Sequence, residues 1–282
     1  MKYPDTFRVK PGSKVRLGDI DANSTGEEKS KAAARDELVE LGGKLAELQE
    51  LMYVEGKRSL LIVLQAMDAG GKDGTVNHVI SYMNPQGVTV YPFKVPSAEE
   101  LAHDYLWRVH KVTPAKGHVA VFNRSHYEDV LVVRVDGLAP EEVWSRRYRE
   151  INAFEKLLSD NGTHILKFYL HIDRQEQLDR FKDRLDDPKK HWKVSEADYA
   201  KRELWDKYQE AYEDAISKCS TEHAPWYVIP ANHKWFRDLA ISHILVKTLK
   251  SLDMKYPALS ADIGEVRRLY HDAVKEESQG AS

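Results

Sequence analysis

The chain has 282 residues, 42% hydrophobic and 31% charged, enough for one large α/β domain with a sizeable core. Its formal net charge of −3 supplies no global basic field, which argues against nucleic acid and a membrane surface as partners. Cys219 is the only cysteine, no apolar run approaches the ~20 residues of a membrane span, and Met1 to Lys14 lacks the apolar region of a secretory signal; disulfides within the chain are excluded and a soluble, cytoplasmic protein is expected.

Residues 1–26 are polar and aperiodic, an arm draped over the domain or partly disordered. From about residue 27 to 56, Ala34, Leu38, Leu41, Leu45, Leu48, Leu51 and Met52 recur at helical spacing, a long helix with a bend expected near Gly42-Gly43. The apolar run at about 59–66 is the first strand. It stops in Ala66-Met67-Asp68-Ala69-Gly70-Gly71-Lys72-Asp73-Gly74-Thr75, after which helical periodicity begins. Strand, glycine-rich turn, lysine and helix are the context of a phosphate-binding loop. Glycines let successive N–H groups converge on an anion, the helix start adds a positive dipole end, and Lys72 adds a mobile charge. The match to G-x-x-x-x-G-K-[ST] is imperfect, because Ala66 holds the first glycine position and Asp73 the place of Ser or Thr. A tight turn whose glycines serve packing alone is the competing reading. Ala69 through Thr75 are the candidate phosphate-binding residues.

Val88 to Phe93 reads as a second strand, and Ser97 as the N-cap of a helix running to about Lys111. His118 to Phe122 is a third strand, followed by helical segments at 126–135 and 140–160. Thr163 to Ile172 is an apolar fourth strand and 173–185 a helix, broken by Asp186-Asp187-Pro188. A charged segment reaches Lys193, Ser195 caps a helix over about 196–218, Trp226 to Ile229 is the fifth strand, and 234–252 is the last core helix. The tail from about 256 is polar with one amphipathic piece. Strands alternating with helices predict an α/β fold, a five-stranded parallel sheet with helices on both faces. The chain is expected to form one domain: arm 1–26, core about 27–255 with its lid near 180–195, tail about 256–282.

Ligands of a parallel sheet sit beyond the carboxyl ends of its strands. Asn123-Arg124-Ser125-His126-Tyr127-Glu128-Asp129 leaves the third strand there. If strands one and three are neighbours, this segment and the phosphate loop face one crevice. Phosphoryl transfer requires positioning and charge neutralisation. Asp68, Glu128 and Asn123 are candidate Mg²⁺ ligands, and Lys72 and Arg124 candidate cations. An ordinary surface turn with solvated charges competes with this reading. Arg180, Lys182, Arg184, Lys189, Lys190 and Lys193 surround the break at Pro188, with Arg180 and Arg184 four apart on one face. They suit a mobile cationic segment closing over a polyanion, although the interleaved aspartates also fit a solvated helix of i,i+4 pairs. Phe93, Lys94 and Arg108 border the same crevice: Phe93 for a base and Lys94 or Arg108 for a phosphate, with core packing of Phe93 and Trp107 at least as good an account. The twelve histidines form no metal or nucleophile pattern.

Together the phosphate loop, Asn123 to Asp129, Phe93-Lys94-Val95-Pro96, Trp107-Arg108 and the segment from Arg180 to Trp192 resemble the polyphosphate kinase 2 family over about residues 27–252. The resemblance implies a three-layer fold like the P-loop nucleoside-monophosphate kinases with a helical lid. It also implies Mg²⁺-dependent phosphoryl transfer between inorganic polyphosphate and nucleotides. Many members carry Asp-Arg-Ser-Trp-Tyr-Asn-Arg at the second motif. Asn123, His126 and Glu128 depart from it in a pattern that resembles the class III branch, which phosphorylates both AMP and ADP. Glu128 is then expected to replace the metal-binding charge lost at Asn123 and to act on the nucleotide. Asp68, Lys72, Asn123, Arg124, Glu128 and Arg180 form the expected catalytic set. A homo-oligomer, dimer or tetramer, is the expected assembly. A nucleoside-monophosphate kinase with ATP as donor, and a nucleotide-binding module without turnover, are the alternatives.

Overall fold

A computed structural model of the chain describes residues 3–27, 30–259 and 261–280. Runs rich in β-branched and aromatic residues become five strands: β1 Ser59–Gln65, β2 Val88–Pro92, β3 Val119–Asn123, β4 Thr163–His171 and β5 Trp226–Pro230. They form one sheet in the order β2-β3-β1-β4-β5, every neighbouring pair parallel. Every residue of β1 and β5 is buried, as strands covered on both faces must be. The chain leaves β1 for β2 on one side and leaves β3 for β4 on the other. Connections therefore diverge at the β1–β3 boundary, where an open α/β sheet forms its ligand crevice.

The helices are α1 Tyr3–Phe7, α2 Lys31–Glu55, α3 Lys72–His78, α4 Ala98–Leu101, α5 Trp107–His110, α6 Val132–Val135, α7 Glu141–Asp160, α8 Arg174–Asp186, α9 Glu196–Glu203, α10 Trp205–Cys219, α11 Lys234–Ser251 and α12 Ile263–Gly280. α2 packs on α11, and α7 on α10 and β4. Ser30 caps α2 through a side-chain bond to the Ala33 amide, and Gly56 ends it in the left-handed conformation. α2 runs as one element through Gly42-Gly43, and Gly42 lets the Tyr82 ring lie against its backbone. The expected start at residue 27 precedes residues 28 and 29, which lie outside the described residues.

Three expected elements differ in detail. The helix expected from Ser97 to Lys111 is two short helices. Ser97 and Glu100 form a reciprocal capping box at the first, but Asp104 then turns its carboxylate onto the Leu106 amide and breaks the run. Residues 126–135 open with a 3-10 turn, His126–Val130, before α6. The helix expected over 196–218 divides at Leu204, and Ser195 makes no side-chain cap. The arm is packed along β5: Val9 N donates to Trp226 O (2.8 Å), Ser220 Oγ to Val9 O (2.7 Å), and Tyr3 and Leu17 are buried.

Candidate active site

After Gln65 the chain turns through residues 66–71 into α3. Ala69 (φ 60°) and Gly71 (φ 107°) both take left-handed backbone, which a non-glycine residue such as Ala69 adopts at a cost of about 1–3 kcal/mol. A Cβ on Gly70 would collide with Ala66, and one on Gly71 with the Arg237 guanidinium, so both glycines answer to close approach. Lys72 Nζ folds back onto the loop and donates to the carbonyls of Ala66 (2.9 Å) and Met67 (3.5 Å). Burial, then Arg124, push this ammonium down to about 8, against the pull of Asp68, Glu128 and Asp73. α3 spans only seven residues, Lys72–His78, so it carries no long helix dipole.

β3 delivers the second motif beside this loop. The Arg124 amide donates to Leu64 O (3.1 Å), and Arg124 itself has left-handed backbone (φ 63°). Its guanidinium donates to Asp68 Oδ1 (2.7 Å) and stands 3.7 Å from Glu128 Oε2, while Gln65 Nε2 donates to Glu128 Oε1 (3.0 Å). Burial alone would raise the Asp68 carboxyl, but Lys72 and Arg124 outweigh it and hold the group below its ordinary value. Asn123 stands apart from this trio, its Nδ2 donating to Asp73 Oδ1 (2.8 Å). No cluster of three or more His, Cys, Asp or Glu side chains is placed to hold a metal among the described residues. Mg²⁺ needs no such cage, since it takes one or two carboxylates with substrate phosphates and water. Asp68 and Glu128, two carboxylates facing one guanidinium, fit that role.

The segment around Pro188 forms a 3-10 turn, Pro188–Lys193, over the loop. Lys193 Nζ donates to Asp73 Oδ2 (3.0 Å), and Arg184 holds the turn through Lys193 O (3.2 Å) and Asp198 Oδ2 (2.9 Å). Arg180 and Arg184, expected on one face as forks for a polyanion, both bind protein partners. Arg180 is only 6% exposed, and its guanidinium reaches Glu176, Ala69 O (2.9 Å), Ala231 O (2.5 Å) and Asn232 O (3.1 Å). It clamps the loop after β1 to the turn between β5 and α11. Lys189 and Lys190 are exposed, and Lys190 pairs with Asp187 (3.0 Å).

On the β2 side, Phe93 packs edge-on against Phe122 (4.9 Å), with Arg108 over its ring. Arg108 is buried and donates twice to Lys94 O (3.0 and 3.1 Å), so it shapes the loop after β2. Lys94 is exposed. The cleft between this loop and the start of α7 has a volume of about 550 Å³, with Arg108, Tyr105, Asp129, Arg146 and Arg147 in its wall.

Of the cationic residues expected around Pro188, Lys193 is the one that meets Asp73. Sequence reasoning missed several residues here. Gln177 Nε2 holds Asp68 O (2.9 Å), and Lys201 lines the small cleft shared by Asp68, Arg124 and Glu128. Arg237 is buried against Gly71 and Gly74 and bound to Asp238 Oδ1 (2.7 and 2.8 Å). An Arg237-Asp238 pair inside a helix rich in apolar residues was the available signal for Arg237.

A glycine-rich loop after the central strand, a second motif after its neighbour and this strand order define a P-loop kinase-like fold. The profile of the family described as polyphosphate kinase 2 matches residues 28–257. A Meiothermus ruber protein named AMP/ADP-polyphosphate phosphotransferase is 55% identical over 89% of this chain and 94% of its own. A Rhodopseudomonas palustris protein named ADP-polyphosphate phosphotransferase is 44% identical over 89% and 91%. The crystal structure of polyphosphate kinase 2 from Arthrobacter aurescens TC1 superposes with a TM-score of 0.92 at 45% identity, covering 96% of both chains. The chain belongs to the polyphosphate kinase 2 family.

Proposed function

We propose that this chain transfers phosphoryl groups from inorganic polyphosphate to AMP and ADP, giving ADP and ATP, reversibly and with Mg²⁺. One observation carries the reading: two cations, Lys72 and Arg124, and two carboxylates, Asp68 and Glu128, meet at the β1–β3 crevice. The names of the Meiothermus and Rhodopseudomonas relatives support the choice of donor and acceptors.

In this reading the phosphate loop and Lys72 receive the phosphoryl group in transit. Phosphate oxygens replace the Ala66 and Met67 carbonyls as acceptors of the Lys72 ammonium. Arg124 neutralises the opposite side, and Gln65 and Gln177 keep Glu128 and the Asp68 loop oriented. Asp68 and Glu128 would hold Mg²⁺, which would supply further charge neutralisation, while Asn123 holds Asp73. The polyphosphate chain lies under the lid turn, near Lys189, Lys190 and Lys193, with Arg184 bracing the turn. The acceptor nucleoside takes the cleft beside Phe93, Lys94 and Arg108. A cytoplasmic homo-oligomer, dimer or tetramer, is the proposed working form, which sedimentation measures.

The test incubates the protein with Mg²⁺, long-chain polyphosphate and either AMP or ADP, then resolves the nucleotides. ADP followed by ATP supports the proposal. Turnover with ATP as the sole donor makes the chain a monophosphate kinase, and no turnover makes it a binding module.

A further inference from the structure

The least expected charges lie beneath the second motif. Lys167 sits in the middle of β4, level with Val63 of β1 and Trp226 of β5, and Glu155 lies on α7. Both side chains are fully buried, 0% exposed. Lys167 Nζ spends all three protons: on Glu155 Oε2 (2.5 Å), Tyr127 Oη (2.8 Å) and Cys219 O (2.7 Å). Glu155 Oε1 accepts from Tyr127 Oη (2.9 Å) and lies 3.2 Å from His126 Nε2. A carboxylate only accepts, so Nε2 carries the imidazole proton. One network thus joins β4, α7, the end of α10 and the turn after β3.

A buried ion pair is a poor source of net stability, because desolvating two charges offsets their attraction. Its charge-assisted hydrogen bonds do fix direction. The segment they fix needs holding: Arg124 has strained backbone, which persists only where its surroundings over-determine it. His126 and Tyr127 point inward to the network, whereas Arg124 and Glu128 on either side reach the crevice with Asp68.

We propose that Glu155 and Lys167, acting through His126 and Tyr127, are positioning residues that hold the 124–131 turn so that Arg124 and Glu128 stand at the reacting phosphates. The kinetic consequence rests on the function proposed above. A misplacement of about 1 Å at such groups lowers turnover by about a hundredfold.

Two variants test this. Tyr127→Phe removes the shared hydroxyl. Glu155→Gln combined with Lys167→Met removes both charges together, so that neither is left buried alone. Amide hydrogen exchange is read alongside kinetics. In both folded variants, exchange at Tyr127, Glu128 and Leu131 is expected to quicken about tenfold or more while β1 keeps its wild-type protection. kcat with polyphosphate is expected to fall about 10- to 100-fold, with KM for polyphosphate unchanged within about twofold. The loss should shrink in a Glu128→Ala background, since a network acting through Glu128 has less to position. Unchanged protection of the turn overturns the inference, and so does a loosened turn with wild-type kcat. If the charge-removed variant does not fold, Tyr127→Phe decides. The exchange arm needs no turnover: a wild-type protein without activity fails the proposed reaction, and the turn's protection still decides the inference.

Discussion

Lys72 concentrates the chemistry in one side chain. Its ammonium, pushed down to about 8 by burial and by Arg124, is charged below that pH and loses its proton above it in the empty protein. The shift is a depression, so the charged lysine opposes folding of the empty site; that penalty is whole below about pH 8 and is relieved as pH rises toward the ordinary 10.5. A bound polyanion returns the proton. kcat/KM for polyphosphate should therefore decline above about pH 8 while kcat stays level to higher pH, and a kcat/KM flat through pH 9 would contradict the assignment. Lys72→Ala should lower kcat by about 10²–10³ without lowering the melting temperature. Glu128 shares Arg124 with Asp68 and is gripped by Gln65, and in the proposed reaction it stands next to the acceptor's phosphate. Glu128→Asn should reduce kcat/KM for AMP more than for ADP. Equal losses would make Glu128 a metal ligand for both acceptors and leave acceptor choice unexplained.

At the scale of elements, the segment proposed as a lid holds a clamp, Arg180, and a latch, Lys193. Arg180 satisfies three backbone carbonyls from a buried position, so Arg180→Ala should cost about 2–4 kcal/mol of stability, read as a lower melting temperature. Lys193 meets Asp73 on an exposed surface, where such a pair contributes about 0–1 kcal/mol. Lys193→Ala should then raise KM for polyphosphate by up to about fivefold and leave KM for the nucleotide alone. A change confined to the nucleotide would contradict the latch. The five strands were legible in the sequence because β-branched and aromatic runs stop at glycine, proline and polar turns. The phosphate loop and the Asn123–Asp129 motif were legible because their chemistry is written in consecutive residues. Arg180, Lys167 and Arg237 were not, because what a charged side chain meets is decided by elements distant in sequence. Arg180 finds carbonyls at 231 and 232, and Lys167 finds Glu155 and the Cys219 carbonyl. The break at Asp104 escaped notice because its carboxylate binds an amide two residues on, in competition with the helix.

Over the whole molecule, the strand order brings two separate motifs to one crevice. β1 and β3 pair directly, with Leu64 level with Asn123, so the phosphate loop and Arg124 leave the sheet side by side. The N-terminal arm closes the far edge against β5, and one apolar cluster runs from Tyr3 to Met254. α12 lies beyond that cluster with its described side chains exposed, and none of the described helices is long and apolar enough to cross a membrane. In the proposed reaction this crevice passes a phosphoryl group directly from polyphosphate to a nucleotide. Radiolabelled polyphosphate with unlabelled AMP and Mg²⁺ tests it most directly. Label is expected first in the β-phosphate of ADP and then in both the β- and γ-phosphates of ATP, with its rate of appearance about 10²–10³ lower in Lys72→Ala. Unlabelled products, or label released only as free phosphate, would contradict it.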